Sequence, residues 1–439
     1  MVSASFTPFS IIPVNTTQDV SVTLSPNPPG TNITLQLSCL SGSGSAVFAP
    51  DGSTSTNITQ STTVKIKGVT ASSVASNMIL KAMLGNDMFA SNKFSIVNME
   101  MTAYRPQTEG PGYGSPFQKR AITNTLEENP GAGIRVNGDD DNNNSTADSS
   151  DTSVSGENDL IEVELKAEPA SGIKYVLKRS SSNIKVWNSQ TKGTALLDSG
   201  TEAEISFSAS TKTVWVENPS GGSADLEFIV RSGETDVCSD KVHFYPFTSI
   251  VIALGGETQD PSDPSDNGTF QLATNLYQQG YDVHMYDEDD VDYGGAGATY
   301  NEVVNSIQHR SVSQVAIFGF SHGGGSTYLL ADLLNTHRDT IGTFTIPFTA
   351  YIDAVEDTFM GDMNQEHRRP TSSAYHVNYY QEGSVADGWL DGGPIDYPPG
   401  ADYEINVDYP TPTETHLTID NETTVLDGIE TRLTPRINR

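Results

Sequence analysis

The sequence predicts a multidomain protein, with two N-terminal all-β, sandwich-like domains followed by an α/β domain built on a mostly parallel sheet. Three observations predict it. Residues 5–98 and 159–246 contain short runs that alternate apolar and polar residues, the period of half-buried strands. From Phe247 onward the strand-like runs become continuously apolar, as strands covered on both faces do. In that same region they alternate with stretches of helical periodicity, the α/β signature. The expected divisions are a β-sandwich at 1–101, a linker at 102–136, an acidic loop at 137–158, a second β-sandwich at 159–246 and the α/β domain at 247–439.

In the first region Val20–Leu24, Ile33–Leu37 and Thr63–Lys67 alternate, and turn signals such as Pro26-Asn-Pro-Pro-Gly30 and Pro50-Asp-Gly52 separate them. Pro106, Gly110, Pro111, Gly112, Gly114, Pro116 and Pro130 mark the linker. The second region carries five strand patterns: Leu160–Leu165, Lys174–Lys178, Ile184–Trp187, Val214–Val216 and Asp225–Val230. Trp187 and Trp215 are read as packing residues. No catalytic constellation lies in either region. They are read as spacers or as modules that bind a surface or polymer.

In the third region Ser249–Leu254 is a buried strand ending in Gly255-Gly256-Glu257. Thr269–Gln279 is a helix with Phe270, Leu272, Ala273 and Leu276 inward, closed by Gly280. Tyr281–Tyr286 is a strand and Asn301–Arg310 a helix. After residues 312–335, described next, come strands at Gly342–Ile352 and within Thr371–Gln381. A Gly-, Pro- and Asp-rich loop covers 382–413, and Thr424–Arg432 is a last helix.

Composition sets limits. The chain has 439 residues and a formal net charge of −32, from 56 acidic and 24 basic residues. That balance repels nucleic acid and anionic membranes and favours neutral or cationic partners. All twelve lysines lie at or before Lys241, so the acidity is concentrated after Phe247. This is read as a solubility adaptation before substrate steering. The two cysteines, Cys39 and Cys238, fall in different regions, so neither a disulfide framework nor a C-x-x-C metal site is expected. No run of eighteen apolar residues predicts a transmembrane helix. Met1–Val14 is apolar but lacks a basic start and carries Pro8 and Pro13, so it does not read as a signal peptide.

The chemistry centres on residues 312–335. Val315–Phe318 is a buried strand and Tyr328–Leu334 a helix face. Between them Gly319-Phe320-Ser321-His322-Gly323 is a G-x-S-x-G pentapeptide. That pattern puts a serine on a sharp strand-to-helix turn, with glycines where the two backbones approach. The helix start supplies free N–H groups for a developing oxyanion. A serine hydroxyl needs a base, and the base needs an orienting acid.

In sequence and context these residues resemble the lipases and esterases of the α/β-hydrolase family, over roughly the last 190 residues. The resemblance implies an α/β-hydrolase catalytic domain and a chain order of Ser, then Asp or Glu, then His. Ser321, Asp353 and His416 fit that order. Asp353 ends a buried run, and His416 lies in a loop before the last helix. Rival acids are Glu356, Asp357 and Asp362; rival bases are His322, His367 and His376. The oxyanion donors are expected at the N–H of His322 and at Gly256, with Glu257 next, although the family's H-G-G-G motif is absent. Tyr286–Tyr300 and the loop carrying Trp389, Tyr397, Tyr403 and Tyr409 are expected to line the cleft. The implied activity is carboxylic ester hydrolysis through an acyl-enzyme, on a small-molecule or lipid ester, with no catalytic cofactor. Two other classes stay open: a peptidase or thioesterase on the same triad, and a surface adhesin with a vestigial hydrolase domain. The architecture resembles secreted multidomain bacterial lipase-like proteins, which implies an extracellular or cell-surface location.

The acidic run offers a structural Ca2+ site. Asp140, Asn142, Asn144, Asp148 and Asp151 fall at relative positions 1, 3, 5, 9 and 12, a spacing that resembles calcium-binding extracellular repeats. Ser145 stands where such loops carry glycine, and Asp151 where an EF-hand carries glutamate. The alternative is an acidic linker without a fixed structure. If the loop holds Ca2+, the ion raises the melting temperature of the protein. Identical melts in Ca2+ and in chelator assign the segment to the linker.

Overall fold

The computed structural model describes residues 2–104, 134–135, 160–189, 193–218, 222–257, 259, 267–291, 297–309, 311–355, 367–381, 392–395, 404–408 and 415–438. The candidate calcium residues, Asp140 to Asp151, lie outside the described residues.

The N-terminal part is antiparallel β-structure in two sandwiches, as the alternation predicts. A four-stranded sheet has the order Ser3–Phe6, Thr17–Ser25, Thr62–Thr70, Ser45–Ala49. A five-stranded sheet has the order Ile134–Arg135, Thr235–Tyr245, Ala224–Ser232, Lys174–Arg179, Glu202–Ile205. Both pack on a single longer sheet whose central strand is Asp87–Tyr104. The first half of that strand pairs with Met78–Leu84, and its second half, Asn98–Tyr104, pairs with Ile161–Glu168.

The expected boundary at 101 and the linker from 102 therefore differ from the structure. Thr102–Tyr104 continue the strand, and Ile134–Arg135 pair with Phe244–Tyr245. The reason is alternation that carries on past the first sandwich. Phe94 and Ile96 face the first core, whereas Val97, Met101 and Ala103 are buried in the second. Trp187 is buried and donates its indole N–H to Glu217 Oε1 at 2.8 Å, while Trp215 is half-buried.

The C-terminal part is a six-stranded sheet with every pairing parallel. Its elements in chain order are β1 (Ser249–Leu254), α1 (Gly268–Gln278), β2 (Val283–Tyr286), α2 (Ala298–His309), β3 (Gln314–Phe320), α3 (His322–Thr336), α4 (Arg338–Ile341), β4 (Thr345–Ile352), β5 (His376–Tyr380), β6 (Glu404–Asp408) and α5 (Thr423–Leu433). The strand order is β2-β1-β3-β4-β5-β6. Alternate residues of each strand feed two cores. Val251, Ala253, Ala316, Phe318, Phe348 and Ala350 pack with α1 and α5; Ile250, Ile252, Val315 and Ile317 pack with α2 and α3. Continuous apolar strands thus become a sheet covered on both faces. The expected inward residues of α1 are all buried, and Tyr277 joins them. Asn267 caps α1 by accepting the Phe270 N–H at 2.8 Å, and Gly280 follows its end at φ +95°.

One strand escaped the sequence pattern. The stretch 382–413 was expected to be a loop, yet Glu404–Asp408 forms the edge strand β6 against β5. Its two apolar residues, Ile405 and Val407, sit among Asp, Tyr, Asn and Pro, too short an alternation to stand out.

The 3₁₀ turn Glu288–Asp290 follows β2 and packs beside α3, where Ser326 Oγ donates to the Glu288 carbonyl at 3.0 Å. The Glu288 side chain is buried with Oε2 unpartnered. Burial, aided by the adjoining Asp287 carboxyl, pushes its pKa up to about 9. A carboxyl raised in the folded state favours its protonated form there. Stability is therefore lost as pH rises from the ordinary carboxylate range toward 9. Glu288→Gln removes that loss. It raises the melting temperature more at pH 8 than at pH 5, as thermal melts at the two pH values will show.

Candidate functional site

The site grows from the strand order. After β1 the chain moves to one side to make β2, then returns to the other side of β1 to make β3. The loops leaving β1 and β3 therefore diverge to opposite faces and leave a crevice at the C-terminal strand ends, where open α/β sheets place ligands. The β1 loop contributes Gly255, Gly256, Glu257 and Gln259; the β3 turn contributes Ser321.

Ser321 sits at φ 54°, ψ −126°, a conformation costly for any residue with a Cβ. Its surroundings hold it there. The Ser321 N–H donates to the Ile352 carbonyl at 3.0 Å, and its own carbonyl accepts from Gly324 at 2.9 Å and Val355 at 3.0 Å. Around it the backbones touch. A Cβ on Gly319 would overlap the Gly323 carbonyl, one on Gly323 the carbonyls of Leu254 and Gly255, and one on Gly324 the side chain of Ala354.

Asp353 arrives by register. Phe320 pairs with Ile352 across β3 and β4, so Ser321 and Asp353 are each the first residue past the end of neighbouring parallel strands. Asp353 also has a positive φ, 44°, and its N–H donates to the Tyr379 carbonyl at 2.6 Å. His416 comes from the turn before α5. Its ring stacks on Phe320 with centroids 5.1 Å apart.

The three side chains form one chain of hydrogen bonds. His416 Nε2 lies 2.8 Å from Ser321 Oγ, and His416 Nδ1 lies 2.8 Å from Asp353 Oδ2. A carboxylate can only accept, so Nδ1 carries the proton, and Nε2 is left with a lone pair facing the serine. Ser321 is 7% exposed, His416 3% and Asp353 0%. The acid is held from behind by a residue the sequence reading gave no role. Gln381 donates its N–H to Asp353 Oδ1 at 3.1 Å and its side-chain amide to Oδ2 at 3.0 Å. The signal was its place just past β5, level with the other strand ends. Gly392 packs so closely on Asp353 that a Cβ there would overlap the carboxylate.

The rival residues fall elsewhere. His376 is wholly buried in the sheet, bonded through Nδ1 to Thr349 Oγ1 at 2.8 Å, and burial pushes its pKa down to about 3. The His322 ring pairs through Nδ1 with Glu257 Oε2 at 3.2 Å, tying the elbow to the β1 loop. His367 lies against Gly393, which follows the glycine on Asp353, and takes no part in the Ser321–His416–Asp353 chain. Glu356, Asp357 and Asp362 lie outside the described residues, as do Trp389, Tyr397, Tyr403 and Tyr409. Tyr286 and Tyr300, expected at the cleft, are buried in the core under α2 and α3.

The oxyanion expectation needs correction at one residue. Gly256 adjoins Ser321, since a Cβ on it would come within 3.1 Å of Ser321 Cβ. Its N–H, however, donates to Gln259 Oε1 at 3.1 Å. That donor is committed, which leaves Glu257, the next residue, to supply the N–H. His322 opens α3, where an N–H has no partner within the helix.

Among the described residues no three His, Cys, Asp or Glu side chains converge on a metal position, and no helix is long and apolar enough to cross a membrane.

The crowding at the elbow is testable. In Gly323→Ala the new methyl meets main-chain carbonyls that cannot rotate away. Destabilisation by about 1–3 kcal/mol or more is expected in denaturant unfolding. The equivalent change at the open Gly233, with no atom within 4 Å of a Cβ but a positive φ, is expected to cost less.

No family model matches the sequence and no curated protein matches it, so the chemistry of this site is argued from its own geometry.

Proposed function

We propose that the protein is a serine hydrolase of the α/β-hydrolase type, cleaving carboxylic esters through an acyl-enzyme. The observation that carries this reading is the buried hydrogen-bonded chain Ser321–His416–Asp353, with the serine on a strained turn at a helix start.

Ser321 Oγ attacks the ester carbonyl while its proton passes to His416 Nε2. Asp353 keeps the ring in the required tautomer and stabilises the imidazolium that forms. The charge on the carbonyl oxygen is met by the N–H of His322 and the N–H of Glu257, assisted by the N-terminal end of α3. Collapse of the tetrahedral intermediate breaks the ester C–O bond, and the departing alkoxide takes the proton from His416. Water then attacks the acyl-serine with His416 as base, releasing the carboxylic acid and restoring Ser321. Gln381 supports the reaction by fixing the Asp353 carboxylate from behind.

The surroundings favour an uncharged ester. Anionic substrates meet a strongly acidic chain, with 30 acids and seven arginines after Phe247. Leu417, beside His416, is 68% exposed and offers an apolar contact at the site edge.

The test is hydrolysis of p-nitrophenyl butyrate by wild type, Ser321→Ala and Asp353→Asn. Ser321→Ala is expected to lose a factor on the order of 10³ or more in kcat, with unfolding free energy within about 1 kcal/mol of wild type. Asp353→Asn is expected to lose about 10³–10⁴ in kcat. A fluorophosphonate should label wild type at Ser321. Labelling without ester turnover would favour an amide or thioester substrate; turnover that survives Ser321→Ala would refute the proposal.

A further inference from the structure

The loop after β1 is held by a polar strut that the triad does not use. Gln259 bonds twice to Gly256: its backbone N–H donates to the Gly256 carbonyl at 2.8 Å, and its Oε1 accepts the Gly256 N–H at 3.1 Å. Its side-chain amide then donates to Asp420 Oδ2 at 2.7 Å. Asp420 is 1% exposed and also accepts the N–H of Gly268, the first residue of α1, at 3.0 Å, and the side-chain amide of Asn421 at 3.1 Å. The Gly268 backbone lies against the Asp420 carbonyl so tightly that a Cβ there would overlap it.

The direction of every bond is fixed. Gly256 can only donate, so Gln259 turns its oxygen to it. The amide nitrogen must then face Asp420, and an ionised carboxylate is the acceptor it needs. Asp420 stands four residues after His416 in the same compact turn, where Ile419 N–H donates to the Thr415 carbonyl at 3.1 Å. One segment thus carries both the base and the anchor of the β1 loop.

Resting on the reading above, we propose that Gln259 and Asp420 are positioning residues for the oxyanion. They engage the Gly256 N–H, so that the N–H of Glu257 becomes the donor offered to the crevice, and they fix that donor relative to His416. Among the described residues the Glu257 N–H has no acceptor. The His322–Glu257 pair holds the same loop from the elbow side.

The experiment compares Gln259→Ala and the isosteric Asp420→Asn with wild type. The first removes the strut. The second sets an amide nitrogen or a lost acceptor against Gln259 and Gly268. Steady-state hydrolysis of p-nitrophenyl butyrate is measured with inhibition by butaneboronic acid, which forms a tetrahedral anion on the serine. Both variants are expected to lower kcat about 10- to 100-fold with KM within about threefold, and to weaken the boronate by a factor similar to the loss in kcat/KM. A purely structural role would lower the melting temperature without that split. Folded variants with kcat within twofold of wild type, or with unchanged boronate inhibition, overturn the inference while leaving the serine-hydrolase reading intact. Should Gln259→Ala fail to fold, Asp420→Asn decides alone. Wild type that neither turns over the ester nor labels at Ser321 overturns both.

Discussion

The C-terminal half depends on the close approach of three backbones at the crevice between β1 and β3. Gly319, Gly323 and the Leu254–Gly255 carbonyls touch with no room for a methyl group. Only then can β3 turn into α3 within one residue, and only then does Ser321 stand out at φ 54°. The strain is local, but the bonds that maintain it are not. They come from Ile352 and Val355 at the end of β4, so the serine's conformation is set by the neighbouring strand.

Parallel pairing does the rest of the assembly. In an antiparallel sheet, adjacent strands would send their C-terminal ends to opposite edges. In this sheet β1, β3, β4 and β5 all end at one edge, and each contributes a part: the Gly255–Gln259 loop, Ser321, Asp353 and Gln381. The register aligns Ser321 and Asp353 without any long loop. His416, the one member from outside the sheet, is placed by the Phe320 ring beneath it and by the Asp420 turn behind it. Charged and polar groups here are buried but partnered, the condition under which burial is tolerated. Glu288, with an unpartnered oxygen, shows the contrary case at the same edge of the sheet.

The β-rich half shows the same economy in a different form. One strand, Asp87–Tyr104, serves two sandwiches, pairing with a different partner along each half of its length. The two cores are thereby joined through a continuous sheet instead of through a tether.

The sequence by itself determined the period of each element and the residues that would be buried. It also determined the one pentapeptide able to make so sharp a turn. Phe270, Leu272, Ala273 and Leu276 face inward because a helix repeats every 3.6 residues, and Ser249–Leu254 is buried throughout because it is apolar throughout. Ser321, Asp353 and His416 were legible as candidates because each ends an element or stands just beyond one. The tertiary structure alone decided what lies between elements distant in sequence. It joined the two sandwiches through a strand whose alternation simply continued. It drew β6 out of a polar stretch by pairing it with β5. It turned the Gly256 N–H toward Gln259 and brought Gln381 and Asp420 behind the site. Hydrogen-bond direction and sheet edge are properties of the folded neighbourhood, so no local pattern of residues could have carried them.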